Sequence, residues 1–335
     1  MVALGVAALG VGVLSGTAGR GVLEAHAQAG EVFVPCVFRG RAVMPLNTVI
    51  TDARGRPIAR FSGSETILIV AGLSTATPAR ARIETGTGQG GFRVRGFVEA
   101  QKLPIATSEN VPVVAGRVWI GARRSVSVVG AAPDKLKIEK RLTTPLQQNF
   151  SAWTSCSKLG FGTPVPAGWS PAGDARGYVL RKSSFELYDR PEGSVVSVLN
   201  KAPDVTGVLF FSTEQTSAWV HVEYHGEVVV DGWARASDLQ PLARGETMDQ
   251  LALQPALRNP ARLALPSSPR VVRTLREVPL RTAAKEGEPI GVIESGAETY
   301  VLDVVAGWAS VLPKALDVMP VENAQFWVKK EELGI

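Results

Sequence analysis

Apolar and polar residues alternate in short runs along most of this chain, and Gly, Pro, Asp and Ser punctuate the runs. That is the pattern of half-buried β-strands joined by turns; no long amphipathic helical stretch interrupts it. The clearest stretch runs from about Tyr178 to Leu242. It predicts an opening strand around Phe185–Pro191, then strands at Val195–Leu199, Val208–Phe211, Trp219–Tyr224 and Val228–Val230. Residues 276–335 repeat the plan with Val278–Arg281, Pro289–Ile293, Glu298–Leu302 and Gly307–Val311, and a longer loop, Pro313–Gln325, precedes Phe326–Val328. In the N-terminal half the expected strands are Asn47–Thr51, Pro57–Phe61, Thr66–Ala71 and Ala81–Thr85, with Gly86–Gly91 as a hairpin tip. A weaker set covers Val111–Ile120, Ser125–Val129 and Leu136–Glu139 and closes at Phe150–Trp153.

One spacing binds the four sets together. Phe97, Trp153, Trp233 and Trp327 each stand six positions before a leucine: Leu103, Leu159, Leu239 and Leu333. A charged residue precedes each leucine, and a small or β-branched residue follows each aromatic. Such repetition marks one small unit used several times. A core of some 60 residues is thin, so the four aromatics are expected as structural core plugs. The gap suits one turn of 3₁₀-helix, after which the leucine returns to the core. Gly232 is placed to let the strand bend before Trp233; Phe326 replaces it in the last copy.

Composition refines this picture. With 335 residues, 45% hydrophobic and 20% charged, the chain is globular and long enough for several units. Residues 1–29 are apolar, Gly/Ala-rich and end in small-x-small patterns, which reads as a secretory leader. Against it, no Lys or Arg lies before Arg20, and an uncleaved anchor is the rival reading; no other membrane span is expected. In an exported chain the two cysteines, Cys36 and Cys156, read as a disulfide; two buried thiols are the alternative. Net charge is +5, but residues 30–160 hold 18 Lys+Arg against 8 Asp+Glu, while 161–335 hold 17 against 22. The first half is thereby suited to polyanions, outside the cytoplasm to envelope polymers rather than nucleic acid. Two Pro/Gly-rich or proline-broken linkers stand at 160–177 and 244–269.

At this point the pattern resembles the bacterial SH3-like (SH3b) domain family. The residues that carry the resemblance are Trp219-Val-His-Val222, Gly232-Trp233-Ala234 and Asp238-Leu239, preceded by Leu187–Pro191 and Val195–Leu199. It implies a mostly β chain of tandem small SH3-like β-barrels joined by Pro/Gly-rich linkers, at 44–105, 106–161, 176–242 and 272–335. It also implies non-catalytic binding of cell-wall peptides, glycans or partner proteins.

The residues offer no competing chemistry. His221 and His225 lie four apart in a strand pattern, ~13 Å along the chain, too far for one zinc. Gly86–Gly91 lacks the Lys-[Ser/Thr] of a phosphate loop. Neither cysteine has the setting of a nucleophile, and Asp and Glu are scattered. No metal, cofactor or catalytic residue is therefore expected. Tyr188, Arg190, Trp219, Tyr224, Tyr300 and Trp308 are the ligand-binding candidates, with Tyr188 foremost as a ring exposed beside the Pro191 turn; Arg123, Arg124 and Lys137 add charge for anionic groups. The sequence supports an exported (periplasmic or extracellular), non-enzymatic protein that binds an envelope polymer or envelope protein. The alternative is a structural adaptor subunit of a surface or secretion assembly that binds protein only.

Overall fold

Runs rich in Val, Ile and Thr become strands, and the punctuation between them becomes turns. The computed structural model describes residues 31–86, 91–114, 116–162, 168–243, 265, 269–285 and 287–335; the expected leader lies outside them. The fold is mostly β, in several antiparallel sheets, and no α-helix occurs among the described residues. The first stretch holds β1 (Phe33–Val34), β2 (Phe38–Val43), β3 (Val49–Thr51), β4 (Pro57–Phe61), β5 (Glu65–Ser74), β6 (Arg80–Thr85) and β7 (Phe92–Glu99). The second holds β8 (Ile105–Thr107), β9 (Val111–Val114), β10 (Val118–Ile120), β11 (Ser125–Ala132), β12 (Lys135–Leu142), β13 (Gln148–Ser155) and β14 (Leu159–Phe161). The third holds β15 (Arg176–Leu180), β16 (Ser184–Tyr188), β17 (Val195–Asn200), β18 (Val208–Ser212), β19 (Trp219–His225), β20 (Val228–Arg235) and β21 (Gln240–Pro241). The fourth holds β22 (Arg270–Arg273), β23 (Val278–Leu280), β24 (Gly291–Ile293), β25 (Glu298–Val305), β26 (Trp308–Pro313), β27 (Val318–Met319) and β28 (Phe326–Lys329).

Each stretch follows one plan: a first strand, a hairpin, three consecutive antiparallel strands, then a 3₁₀ turn. The 3₁₀ turns are Ala100–Lys102, Cys156–Lys158, Ala236–Asp238 and Lys330–Leu333, and so fill the aromatic-to-leucine gap in all four copies. In the second stretch the sheet order is β13-β12-β11-β8-β14; the third reproduces it as β20-β19-β18-β15-β21 and adds the β16–β17 hairpin beside β20. The first strands β2, β15 and β22 lie outside the strand segments that alternation singles out, although the third stretch begins at Tyr178 in the sequence pattern as well. Arg39-Gly-Arg41 interrupts β2, and the apolar residues of β15 and β22 are short unbroken runs, so no alternation marks them.

The aromatic spacing has a different meaning from the core plug expected of it. Val98, Thr154, Ala234 and Val328, the residues after the aromatics, are the buried ones, together with the four leucines. Strand alternation then turns the aromatics to the other face. Only Phe97 is enclosed (3% exposed); Trp233 and Trp327 are half-buried, and Trp153 is 52% exposed. Gly232 is needed for close approach: a Cβ there would stand 3.0 Å from the Tyr188 carbonyl oxygen. Phe326 at the corresponding place is fully buried, with its ring 6.1 Å from that of Phe92 in the first stretch.

The stretches do not keep to themselves. β24 of the fourth pairs with β7 of the first, and β10 of the second pairs with β20 of the third. The two junctions share one register: Gly291, Val292 and Ile293 face Val94, Arg93 and Phe92 as Val118, Trp119 and Ile120 face Val230, Val229 and Val228. Counted back from Phe97 and Trp233, the receiving positions are the same. Flanking bonds repeat as well. Thr107 donates its hydroxyl to the Gly121 carbonyl at 2.6 Å, and Thr274 donates to that of Glu294 at 2.6 Å. A second insertion accompanies each: β27 pairs with β4, and Leu146 bridges to Lys201. The chain is thus two equivalent pairs, first with fourth and third with second. Cys36 and Cys156 form a disulfide that joins the first stretch to the second, their Cα atoms 5.8 Å apart. Accordingly the apolar core is not four separate ones. One cluster runs through the first, second and fourth stretches, and another joins the third to Leu142, Leu146 and Phe150 of the second.

Candidate functional site

The six ligand-binding candidates fall in four places. Tyr188 is buried rather than exposed beside its turn. Its ring meets Trp219 edge-on at 4.8 Å, its hydroxyl donates to the Glu186 carboxylate, and the Arg235 Nε donates to that hydroxyl at 3.1 Å. The bond to Glu186 pushes the phenol above its ordinary range, and the bond to Tyr188 raises Arg235 further. Neighbouring outward positions on β19 and β20 bring His221 to Trp233 at 5.1 Å and to the Asp231 carboxylate at 2.7 Å. Arg117 of the second stretch reaches the same carboxylate at 3.8 Å. Trp169, from the Pro/Gly-rich linker, stacks on His225 at 4.2 Å, and burial pushes that imidazole below its usual range. Arg190 stays exposed in the β16–β17 turn.

Tyr224 lies elsewhere. It is buried against Phe210 at 5.7 Å, and burial pushes its hydroxyl up to about 12. Nearby, Glu227 in the β19–β20 turn meets Arg124 at 3.6 Å and Lys140, both from the second stretch. Arg124, expected as a surface charge, is buried in that junction. Tyr300 is half-buried between strands, opposite Leu312 and Val271.

Trp308 lies in the fourth place, and there the surroundings suit a ligand. It borders a groove of about 590 Å³ lined also by Lys285, Gly307, Lys329, Lys330 and Glu331. The Arg281 guanidinium lies 5.6 Å above the Trp308 ring, a cation–π contact. Arg281 is held there because its backbone pairs with that of Trp327 and its Nε donates to the Gly287 carbonyl at 3.1 Å. Trp308 itself pairs across the sheet with Lys329. None of the three lysines forms an ion pair among the described residues. A preorganised aromatic face beside four cations can hold an anionic group and an apolar surface together. This cluster was missed because the second half of the chain is acidic on average. The Lys329-Lys330 pair two residues after Trp327 was the available signal.

No helix among the described residues is long and apolar enough to cross a membrane. No family model, curated protein or solved structure matches the chain.

Proposed function

We propose that this is an exported, non-catalytic protein of four SH3-like units that binds anionic cell-envelope material, peptidoglycan peptide or glycan. The Trp308 groove carries the reading: an aromatic ring with Arg281, Lys285, Lys329 and Lys330 around it suits carboxylate-bearing polymer. The order β20-β19-β18-β15-β21, with a 3₁₀ turn before its last strand, supports the SH3-like assignment. The disulfide supports maturation in an oxidising compartment.

The second reading, an adaptor binding only protein, is favoured by one observation. The edge strand β17 leaves Val195 and Val198 46% and 44% exposed, a template for strand addition by a partner.

A sedimentation assay with isolated peptidoglycan sacculi separates the two. Wild-type protein is expected to sediment with sacculi at low salt and to be released as salt rises. Trp308→Ala, and separately Lys329→Ala with Lys330→Ala, are expected to weaken retention about tenfold, the scale of one good aromatic or charge contact. Protein that stays in the supernatant at low salt rules out the wall-binding reading. Specific protein adducts in cellular crosslinking, without sacculus retention, establish the adaptor.

A further inference from the structure

The outward aromatic of the repeat is covered by the chain itself where it can be. Phe97 is capped by Phe33 at 5.4 Å and by the Arg80 guanidinium at 4.6 Å. Trp233 lies against His221. In the second stretch the equivalent ring, Trp153, is more than half exposed.

Its setting is a polar sheet face. Trp153 faces Lys137 on β12, and Lys137 faces Gly130 on β11. A Cβ on Gly130 would meet the far corner of the Trp153 ring, Cη2, at 3.8 Å. Strands are ~4.8 Å apart, so a ring that reaches from β13 to β11 lies along the sheet rather than standing off it. One face is seated and the other is open. Around it on the outward positions are Ser151 and Ser155 on β13 and Lys135, Glu139 and Arg141 on β12. Lys135, Lys137 and Arg141 form no ion pair among the described residues. Three cations thus face one carboxylate.

We infer that this face is a second binding site, for an acidic polysaccharide. An indole lying flat offers its electron-rich face to the axial C–H bonds of a pyranose ring, a contact that needs a platform and no pocket. The serine hydroxyls supply hydrogen bonds at the height of the ring's edge. The surplus of unpaired cations favours sugars that carry carboxylates over neutral ones. The inference deepens the envelope-binding reading by naming a ligand class for a different face of the molecule.

The test is affinity electrophoresis of the intact, disulfide-bonded protein in gels containing polygalacturonate, dextran or inorganic polyphosphate. Wild type is expected to be retarded by polygalacturonate and much less by dextran. Trp153→Ala, at an exposed position, is expected to keep its circular dichroism and thermal midpoint while losing about tenfold in affinity for polygalacturonate. Lys137→Ala with Arg141→Ala removes the salt-dependent part. Retardation of Trp153→Ala equal to wild type overturns the site, as does equal retardation by dextran. Retardation by polyphosphate as strong as by polygalacturonate, and insensitive to Trp153, reduces the face to simple charge and overturns it too. Sacculus retention that depends on Trp308 but survives Trp153→Ala would leave the proposed function standing with this site removed.

Discussion

Alternation told which residues point the same way, but at the aromatics it did not say which way is in. Ala234 and Thr154 are the buried members of their pairs, and strand alternation turns the large rings to the other face. Tyr188 shows the converse. Its neighbours Asp189, Arg190 and Pro191 spell an exposed turn, yet Trp219, distant in sequence, closes over its ring. Tyr224 permits a direct test at this scale. Its hydroxyl is raised from 10.0 to about 12, first by burial and then by Glu227. Because the folded value lies above the unfolded one, the stabilisation is complete below pH ~10 and is lost as pH rises toward ~12. Urea unfolding from pH 9 to 12 should therefore show a loss of about 2–3 kcal/mol that Tyr224→Phe removes. An unchanged alkaline slope in the variant would mean that the phenol ionises as freely in the fold as outside it.

Between elements, the strands were legible and their partners only locally. Pro57–Phe61 and Val195–Leu199 have near-identical bounds in sequence and structure, because each pairs with its neighbour in a local hairpin. The pairing of β24 with β7 joins the fourth stretch to the first, with the second and third between them in sequence, and leaves no periodic trace. Its one sequence mark is Gly291, where a Cβ would stand 2.0 Å from the Arg93 carbonyl oxygen, a backbone atom that cannot yield. Gly291→Val is therefore expected to peel the β23–β24 hairpin from the first stretch. Amide exchange should accelerate at Arg95 and Glu294, whose N–H groups donate to Ile290 and Gly91 across this junction. The cost is expected at about 3 kcal/mol, several ladder hydrogen bonds at roughly 1 kcal/mol each. Unaltered protection at both amides would show that the hairpin is held by its side chains, Glu277 on Arg93 among them.

For the whole molecule, the spatial order is third, second, first, fourth, with strand pairing at the outer junctions and the disulfide at the middle one. The bond joins residues 120 apart, so the chain-entropy model gives it up to about 5 kcal/mol. Cys36→Ser with Cys156→Ser should lower unfolding stability by about 2–5 kcal/mol in urea titration. A change below about 1 kcal/mol would assign that junction to packing such as Phe38 on Phe161. The pairing of cysteines was readable from their even count and the leader-like pattern of residues 1–29; the nesting of the stretches was not, since register between distant strands leaves no local signature. That nesting has a price in time. A ribosome releases the Phe92–Glu99 edge early, and Gly291–Ile293 emerges only after the whole of the second and third stretches has been made. In the interval the nascent chain carries a bare strand border, open to pairing with any other extended peptide until the last stretch arrives.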